Sequence, residues 1–370
     1  MKSINGLKYL ALCVLIFMVA CFTYDVADYT QYALFYEKEE TGALIGYHME
    51  AGYVLLERIG NALHLNFPVF RGIYIGVALC PLLVSIYEYT GKCAFYCLML
   101  YAIYPFLFDV VQMRHLMAVS ISVYCLRYLG GKSKWDIVRY CAGIFIAASQ
   151  HTVALFYLCF LAVLIKCSRR AFYSVTASLM IIGMVVMSRL NSGGAISKIY
   201  EALLSGLHHF RGSGKFSLDK TEAVSKYYLL MFGLMLFLLL AIHGYKRGQF
   251  FVFRLSIRKT QPVDFDLLFR VSAISLMFIP LVNINDHLSR ANRGFLVIVY
   301  ATLVMYAHSG RANSLKRIVF HLLPLSVACV CFIMFLSARS ITHWETVTVP
   351  VFTNNYIMDA LQHLFIGEAN

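Results

Sequence analysis

The sequence predicts an all-α polytopic membrane protein with about eleven transmembrane helices. Three observations carry that expectation. Of 370 residues, 60% are hydrophobic and only 14% are charged, far more apolar matter than the core of a soluble domain of this length uses. Apolar runs of about 16 to 20 residues recur along the whole chain, each able to cross a hydrocarbon layer of roughly 30 Å as a helix. Lys and Arg, which give a net charge of +13, gather in short connections between those runs. That is the positive-inside pattern, and it argues for a membrane protein rather than a nucleic-acid binder.

Span one runs from about Leu7 to Tyr24. Lysines (Lys2, Lys8) precede it and acids follow it, so the N-terminus is expected in the cytoplasm. No small-residue cleavage site is evident, and the run reads as a retained first span. The segment 25–68 is then an outer loop, rich in acids from Asp25 to Glu57. Span two (Val69 to Tyr87) returns to an inner turn, span three (Cys93 to Phe108) goes out, and the chain turns at Asp109 to His115. Span four, to Tyr128, leads into a basic loop ending at Arg139.

The next run, Tyr140 to Ile165, is long for one span and short for two. Charge decides: a single span would put Lys166, Arg169 and Arg170 outside, whereas a tight hairpin of two short helices keeps them inside. The hairpin places Ser149-Gln150-His151 at an outer tip. Span seven (Phe172 to Ser188) leads to an outer loop at 189–227, and span eight (Tyr228 to His243) returns. An inner interfacial segment at 244–261 follows. Span nine (Asp266 to Val282), an outer turn at 283–293, span ten (Gly294 to Ala307) and span eleven (Ile318 to Leu336) complete the bundle, leaving a tail at 338–370 outside. We expect one polytopic domain over 1–370, with no soluble domain or internal repeat.

Eleven cysteines lie in or beside apolar runs at no zinc-type spacing, so neither disulfides nor a metal site is expected. No glycine-rich phosphate loop, zinc-helix motif or serine elbow is found, and no cofactor is implied.

Under this topology four groups meet on the outer face. They are Asp25, Asp28, Tyr29 and Glu50; Asp109, Gln112, Arg114 and His115; Gln150 and His151; and Asn285, Asp286, His287, Arg290, Asn292 and Arg293. Arginine suits a pyrophosphate because its planar fork donates in pairs and keeps its charge. Arg114, Arg290 and Arg293 therefore read as an anion clamp, with His151 or Asp28 as proton acceptor. A blander reading stands beside it: Arg114 pairs with Asp109 or reaches the headgroups, His151 bonds a loop carbonyl, and Asp28 is merely solvated.

The order Asp28-Tyr29, Glu50-Ala-Gly-Tyr53, Arg114-His-Leu-Met-Ala118 and Ala147-Ala-Ser-Gln-His151-Thr-Val-Ala154 resembles the EpsG-like branch of Wzy-type polysaccharide polymerases. His115 stands where that family usually has glutamine. The resemblance implies a glycosyltransferase of the bacterial inner membrane. Such an enzyme joins undecaprenyl-pyrophosphate-linked oligosaccharides at the outer face, making O-antigen of lipopolysaccharide, capsule or exopolysaccharide. It implies donor and acceptor glycolipids, membrane lipids, and a chain-length regulator and flippase of the same pathway as partners, with no nucleic acid. His151 and Asp28 are then the catalytic candidates, and Arg114, Arg290, Arg293, His115, Tyr29, Glu50 and Gln150 the substrate-binding ones. A flippase of lipid-linked sugars and a membrane acyltransferase remain alternatives at this point.

Overall fold

The computed structural model describes residues 2–40, 49–131, 133–190, 230–231, 233–239, 265–280, 289–308, 314–337 and 341–366. Among them every extended element is helical; the β-type pairing is one isolated bridge, Thr23 to Asn355. The expected loop at 189–227 beyond Leu190, span eight apart from 230–231 and 233–239, the segment 244–261, and Asn285, Asp286 and His287 lie outside the described residues.

Helix α1 (Lys2–Phe22) packs antiparallel on α4 (Phe67–Thr90). The Tyr9 hydroxyl donates to Leu83 O at 2.6 Å near one end, and Arg71 Nη1 donates to Thr23 O at 2.5 Å near the other. Gly72 and Gly76 face this contact, where a Cβ on Gly72 would stand 3.0 Å from Cys21 O. Small residues four apart admit such close backbone approach. The far face of α1 (Leu7, Leu10, Val14, Leu15, Met18) is apolar and exposed, at a spacing that suits contact with lipid chains.

Gly91, at φ 54°, reverses the chain after α4, and α5 (Ala94–Ile103) runs back. A glycine carries the turn because a Cβ disfavours that backbone region. Three stretches are long and apolar enough to cross a membrane by length and composition: Asn5–Phe22, Phe67–Ile103 (which contains the Gly91 reversal) and Arg317–Leu336.

The segment 25–68, expected as an outer loop, contains two helices, α2 (Tyr29–Glu40) and α3 (Ala51–Ala62). After α5 come α6 (Phe106–Val111) and α7 (Met113–Leu129), so Arg114 and His115 stand in the first turn of a helix and not in a loop. The break at Gln112 (φ −94°, ψ 62°) turns its side chain out of the helical path.

Helix α8 (Lys134–Gln150) starts six residues earlier than the sequence suggested, behind a Ser133/Asp136 capping box. The chain then breaks at His151 and returns as an unusually long 3-10 segment, Thr152–Leu164. The Tyr140 hydroxyl donates to Tyr157 O at 2.6 Å, a contact that residues 17 apart make only when the chain doubles back. This is the hairpin that charge placement pointed to. Its arms match in length because thirteen 3-10 residues at a rise of about 2.0 Å span as far, ~26 Å, as seventeen α residues at about 1.5 Å.

Helix α9 (Arg169–Leu190) follows, then α10 (Phe265–Met277), the short α11 (Ser289–Arg293), α12 (Leu296–Ala307) and α13 (Ser314–Leu336). Every residue of α12 is buried, making it the axis of the bundle. The tail folds as a helical run at 341–353 with a π-type turn at Trp344–Thr348, then α14 (Tyr356–Ile366).

Candidate functional site

The two ends of the bundle differ in how their charges are balanced. At one end Arg127 pairs with Glu88 at 2.9 Å, while Asp266 takes Arg169 at 2.5 Å and Arg270 at 3.0 Å. Arg270 also donates to Ile165 O and Cys167 O, closing the foot of the hairpin. The opposite end, reached along α7 from Arg127 back to Arg114, holds the sequence-predicted site.

There Glu50, extended at φ −65° and ψ 135° just before α3, spends no side-chain bond on capping that helix. Instead Oε2 takes the Arg114 Nη1 donor in a short ion pair, and Oε1 accepts the Thr152 amide at 3.1 Å. One carboxylate thus links α3, α7 and the hairpin tip. Arg114 Nε donates to the Tyr32 hydroxyl at 3.3 Å, and its guanidinium lies 5.4 and 5.5 Å from the Tyr32 and Tyr53 ring centres. Such aromatic walls stabilise a cation that has left bulk water. Arg114 therefore pairs with Glu50, and the alternative partner Asp109 is engaged elsewhere.

Gln150 is buried and accepts from the Tyr74 hydroxyl at 2.8 Å. It holds the tip against α4. Gly52 explains the Glu-x-Gly-aromatic pattern: a Cβ there would stand 2.2 Å from Ser149 Oγ and 2.6 Å from Gln150 Nε2. Only a glycine lets α3 approach the tip this closely.

His151 heads the 3-10 segment, and its Nδ1 accepts the Val153 amide at 3.2 Å. A neutral imidazole whose Nδ1 accepts carries its proton on Nε2. In the other tautomer Nε2 takes the Arg290 Nη1 donor 3.5 Å away, so the ring's lone pair faces either the Val153 amide or the arginine, and His151 stands beside Arg290 in both cases.

His115 is fully buried. Its Nε2 sits 3.0 Å from Arg290 O, and its Nδ1 lies 3.5 Å from Asp109 Oδ1; Tyr101 donates to the other oxygen of Asp109 at 3.0 Å. Asp109 Oδ1 and His115 Nδ1 have no hydrogen bond among the described residues, so His115 is held by its burial and by the Nε2 contact to Arg290 O, away from groups open to a ligand. Asn292, also buried, donates to Ser275 O at 2.8 Å and fixes the same turn to α10.

Arg293 is 5% exposed. It donates through Nη2 to Gln112 Oε1, rests 4.5 Å above the Phe108 ring, and has a buried Nε with no acceptor among the described residues. No carboxylate contacts it among those residues. Burial pushes the Arg290 pKa below the ordinary guanidinium value. The positive charges of Arg293 and Arg114 push the same way, while Tyr32 and Asp28 oppose them. Arg290 is thus within electrostatic reach of Arg114, Arg293 and Asp28.

Asp28 is exposed, in the left-handed region at φ 63°, and its carbonyl accepts the Tyr32 amide as α2 begins. Tyr29 lies lower, edge-on to Phe67 at 5.0 Å and 5.7 Å from Arg71, so it belongs to the packing beneath the site.

Sequence reasoning missed Tyr32, Phe108 and Arg71. Tyr32 had a signal, since it follows Asp28 by one helical turn. Arg71 lies in an apolar run just as Arg114 does, yet it serves differently. It is buried and caps the last carbonyls of α1 and α6 through Ala20 O, Thr23 O and Val110 O. A cation there meets two negative helix ends.

Comparison with known proteins gives one family: the EpsG family model matches residues 7–348. No curated protein and no solved structure matches the chain.

Proposed function

The chain belongs to the EpsG family, and from that membership we propose that it polymerises undecaprenyl-pyrophosphate-linked oligosaccharide repeat units at the outer face of the bacterial inner membrane. The product would be O-antigen, capsule or exopolysaccharide. Family membership and the apolar helices support a membrane protein of polysaccharide synthesis. The eleven-span topology, with the N-terminus cytoplasmic and the tail outside, is part of the proposal, as are a flippase and a chain-length regulator as partners.

The observation that carries the reading is the gathering of Arg114, Arg293 and Asp28 around Arg290, whose guanidinium meets His151 Nε2, at one end of the bundle. When an acceptor sugar hydroxyl attacks the anomeric carbon of the donor, the bond from that carbon to the lipid pyrophosphate breaks. Negative charge then grows on the leaving oxygen. Arg290, Arg293 and His151 present donors where that charge develops, and such groups lower the barrier because they bind the transition state more tightly than the ground state. The hydroxyl proton goes to Asp28, an exposed residue at the same end of the bundle. Arg114 contributes charge while its pairing with Glu50 keeps the hairpin tip in register.

Two rivals are less well supported. A flippase needs cationic groups along its path, whereas at the far end Arg127 is paired with Glu88, and Arg169 and Arg270 with Asp266. A histidine-dependent acyltransferase needs a basic ring nitrogen facing its acyl donor, and the Val153 amide and Arg290 already stand against the two ring nitrogens of His151.

The test is a gel of lipid-linked and surface glycans from a strain lacking this protein, beside the complemented strain. Single repeat units on the carrier core in the deletion, and a restored ladder on complementation, support polymerisation. A ladder of altered mobility in the deletion would favour modification, and absence of any unit at the surface would favour transport.

A further inference from the structure

Residues 341–366 are stitched to the segment that carries Asp28. Tyr24 N donates to Asn354 O and Ala27 N to Thr346 O, each at 2.9 Å. Asn354 Nδ2 donates to Asp25 O at 3.1 Å, and the Tyr24 hydroxyl donates to Asp359 Oδ2 at 2.9 Å. Buried Asn355 donates to Met18 O at 3.3 Å and Val19 O at 3.2 Å, locking the tail to the last turn of α1. Among these anchors Asp25 (φ 44°), and one residue beyond them Asp28 (φ 63°), hold left-handed backbone, a region that aspartate tolerates better than most L-residues.

A second, separate contact reaches the arginines. The His343 ring stands edge-on to Phe108, with centres 5.2 Å apart, and Phe108 is the platform under the Arg293 guanidinium. His343 Nδ1 lies 3.2 Å from Phe335 O, which ties that ring to the end of α13. The tail therefore touches both halves of the site, while Asn354, Asn355 and Asp359 fall beyond the family match at 7–348.

We infer that residues 341–366 form a brace that fixes Asp28 opposite the arginines, with Asn354, Asn355 and His343 as positioning residues. The inference rests on the polymerase reading of Asp28 and Arg293. It gives the tail a role in the bond-forming step, because a reacting group displaced by about 1 Å loses on the order of a hundredfold in rate.

The experiment uses full-length protein in membranes and, as probe, lipid-linked repeat units extracted from the deletion strain. Hydrogen exchange at the Tyr24 and Ala27 amides is read alongside the kinetics. Asn354→Ala is expected to raise exchange at both amides about tenfold, as expected when a local opening becomes easier. The same variant should lower kcat by roughly 3- to 10-fold while KM stays within about twofold, since positioning acts on the reacting geometry and not on uniform binding. Asn354→Asp, which sets an acceptor against Asp25 O, should be at least as severe, and Asn354→Gln, which keeps the donor, should recover most activity. Exchange that rises with kcat unchanged, or kcat that falls with exchange unchanged, overturns the brace. If wild-type protein fails to polymerise the extracted units, the polymerase reading falls and takes the brace's catalytic role with it.

Discussion

Gly52→Ala is a small perturbation with a calculable effect. The new methyl carbon would sit 2.2 Å from Ser149 Oγ, 2.6 Å from Gln150 Nε2 and 2.8 Å from Ser149 Cβ, whereas ordinary contact starts at 3.4 Å. Helix α3 or the hairpin tip must retreat by about 1 Å, and overpacking of this kind typically costs about 1–3 kcal/mol. Helix propensity acts the other way, because alanine is better than glycine in a helix by up to about 1 kcal/mol. The contact term wins at the site: a more stable α3 that has moved off the tip no longer holds Glu50 against both Arg114 and Thr152 N. Docking weakened by about 1–2 kcal/mol corresponds to a 5- to 30-fold smaller ratio of docked to undocked tip. The assay is ladder intensity per unit of membrane-inserted protein, measured also for Ser149→Gly and for the double variant. Ser149→Gly removes two of the three clashing atoms, so the double variant should regain most of the loss, a coupling visible in the cycle. A Gly52→Ala protein with full output, or a double variant no better than the single one, would refute the close-approach argument.

Arg114→Ala should abolish polymer while the protein stays in the membrane at normal levels; long polymer from that variant would sink the clamp. Glu50→Gln keeps an acceptor for Thr152 N but leaves the part-buried Arg114 uncompensated. Removing one partner of a buried pair costs about 3–5 kcal/mol, and partial exposure of this pair trims the figure to about 2 kcal/mol, readable as lower thermal stability in detergent. His151→Gln retains an N–H near the Nε2 position, so it should keep more activity than His151→Ala; equal loss in both would restore His151 as the base. A reporter fused after Gly310 should report cytoplasm, and a periplasmic signal would break the proposed topology.

Much of this protein can be read from one dimension because lipid removes alternatives. In hydrocarbon the backbone must satisfy itself within each segment, so an apolar run of sufficient length is already a helix, and all-α architecture follows from composition. Charge placement alone separated one long span from a hairpin at Tyr140 to Ile165, and the bond from Tyr140 to Tyr157 O agrees. Arg114, Arg290 and Arg293 stood out for a related reason: a cation beside apolar residues is costly unless something holds it.

What holds each cation was settled only in three dimensions. The sequence reading paired Arg114 with Asp109 or with the headgroups; helix phase instead sends Asp109 towards Tyr101 and His115, while the partner Glu50 arrives from 64 residues upstream. The surroundings of His151 depend on the Val153 amide and Arg290 meeting its two ring nitrogens where the chain leaves α8, a local geometry that composition does not encode. The thirteen-residue 3-10 arm, the helices within 25–68 and the docking of residues 341–366 onto the end of α1 also arise from packing between distant segments. Residue types and hydropathy thus determine which segments become helices. Which side chains face one another depends on how those helices cross and rotate, and that is fixed by contacts such as Gly52 against Ser149 that no single segment contains.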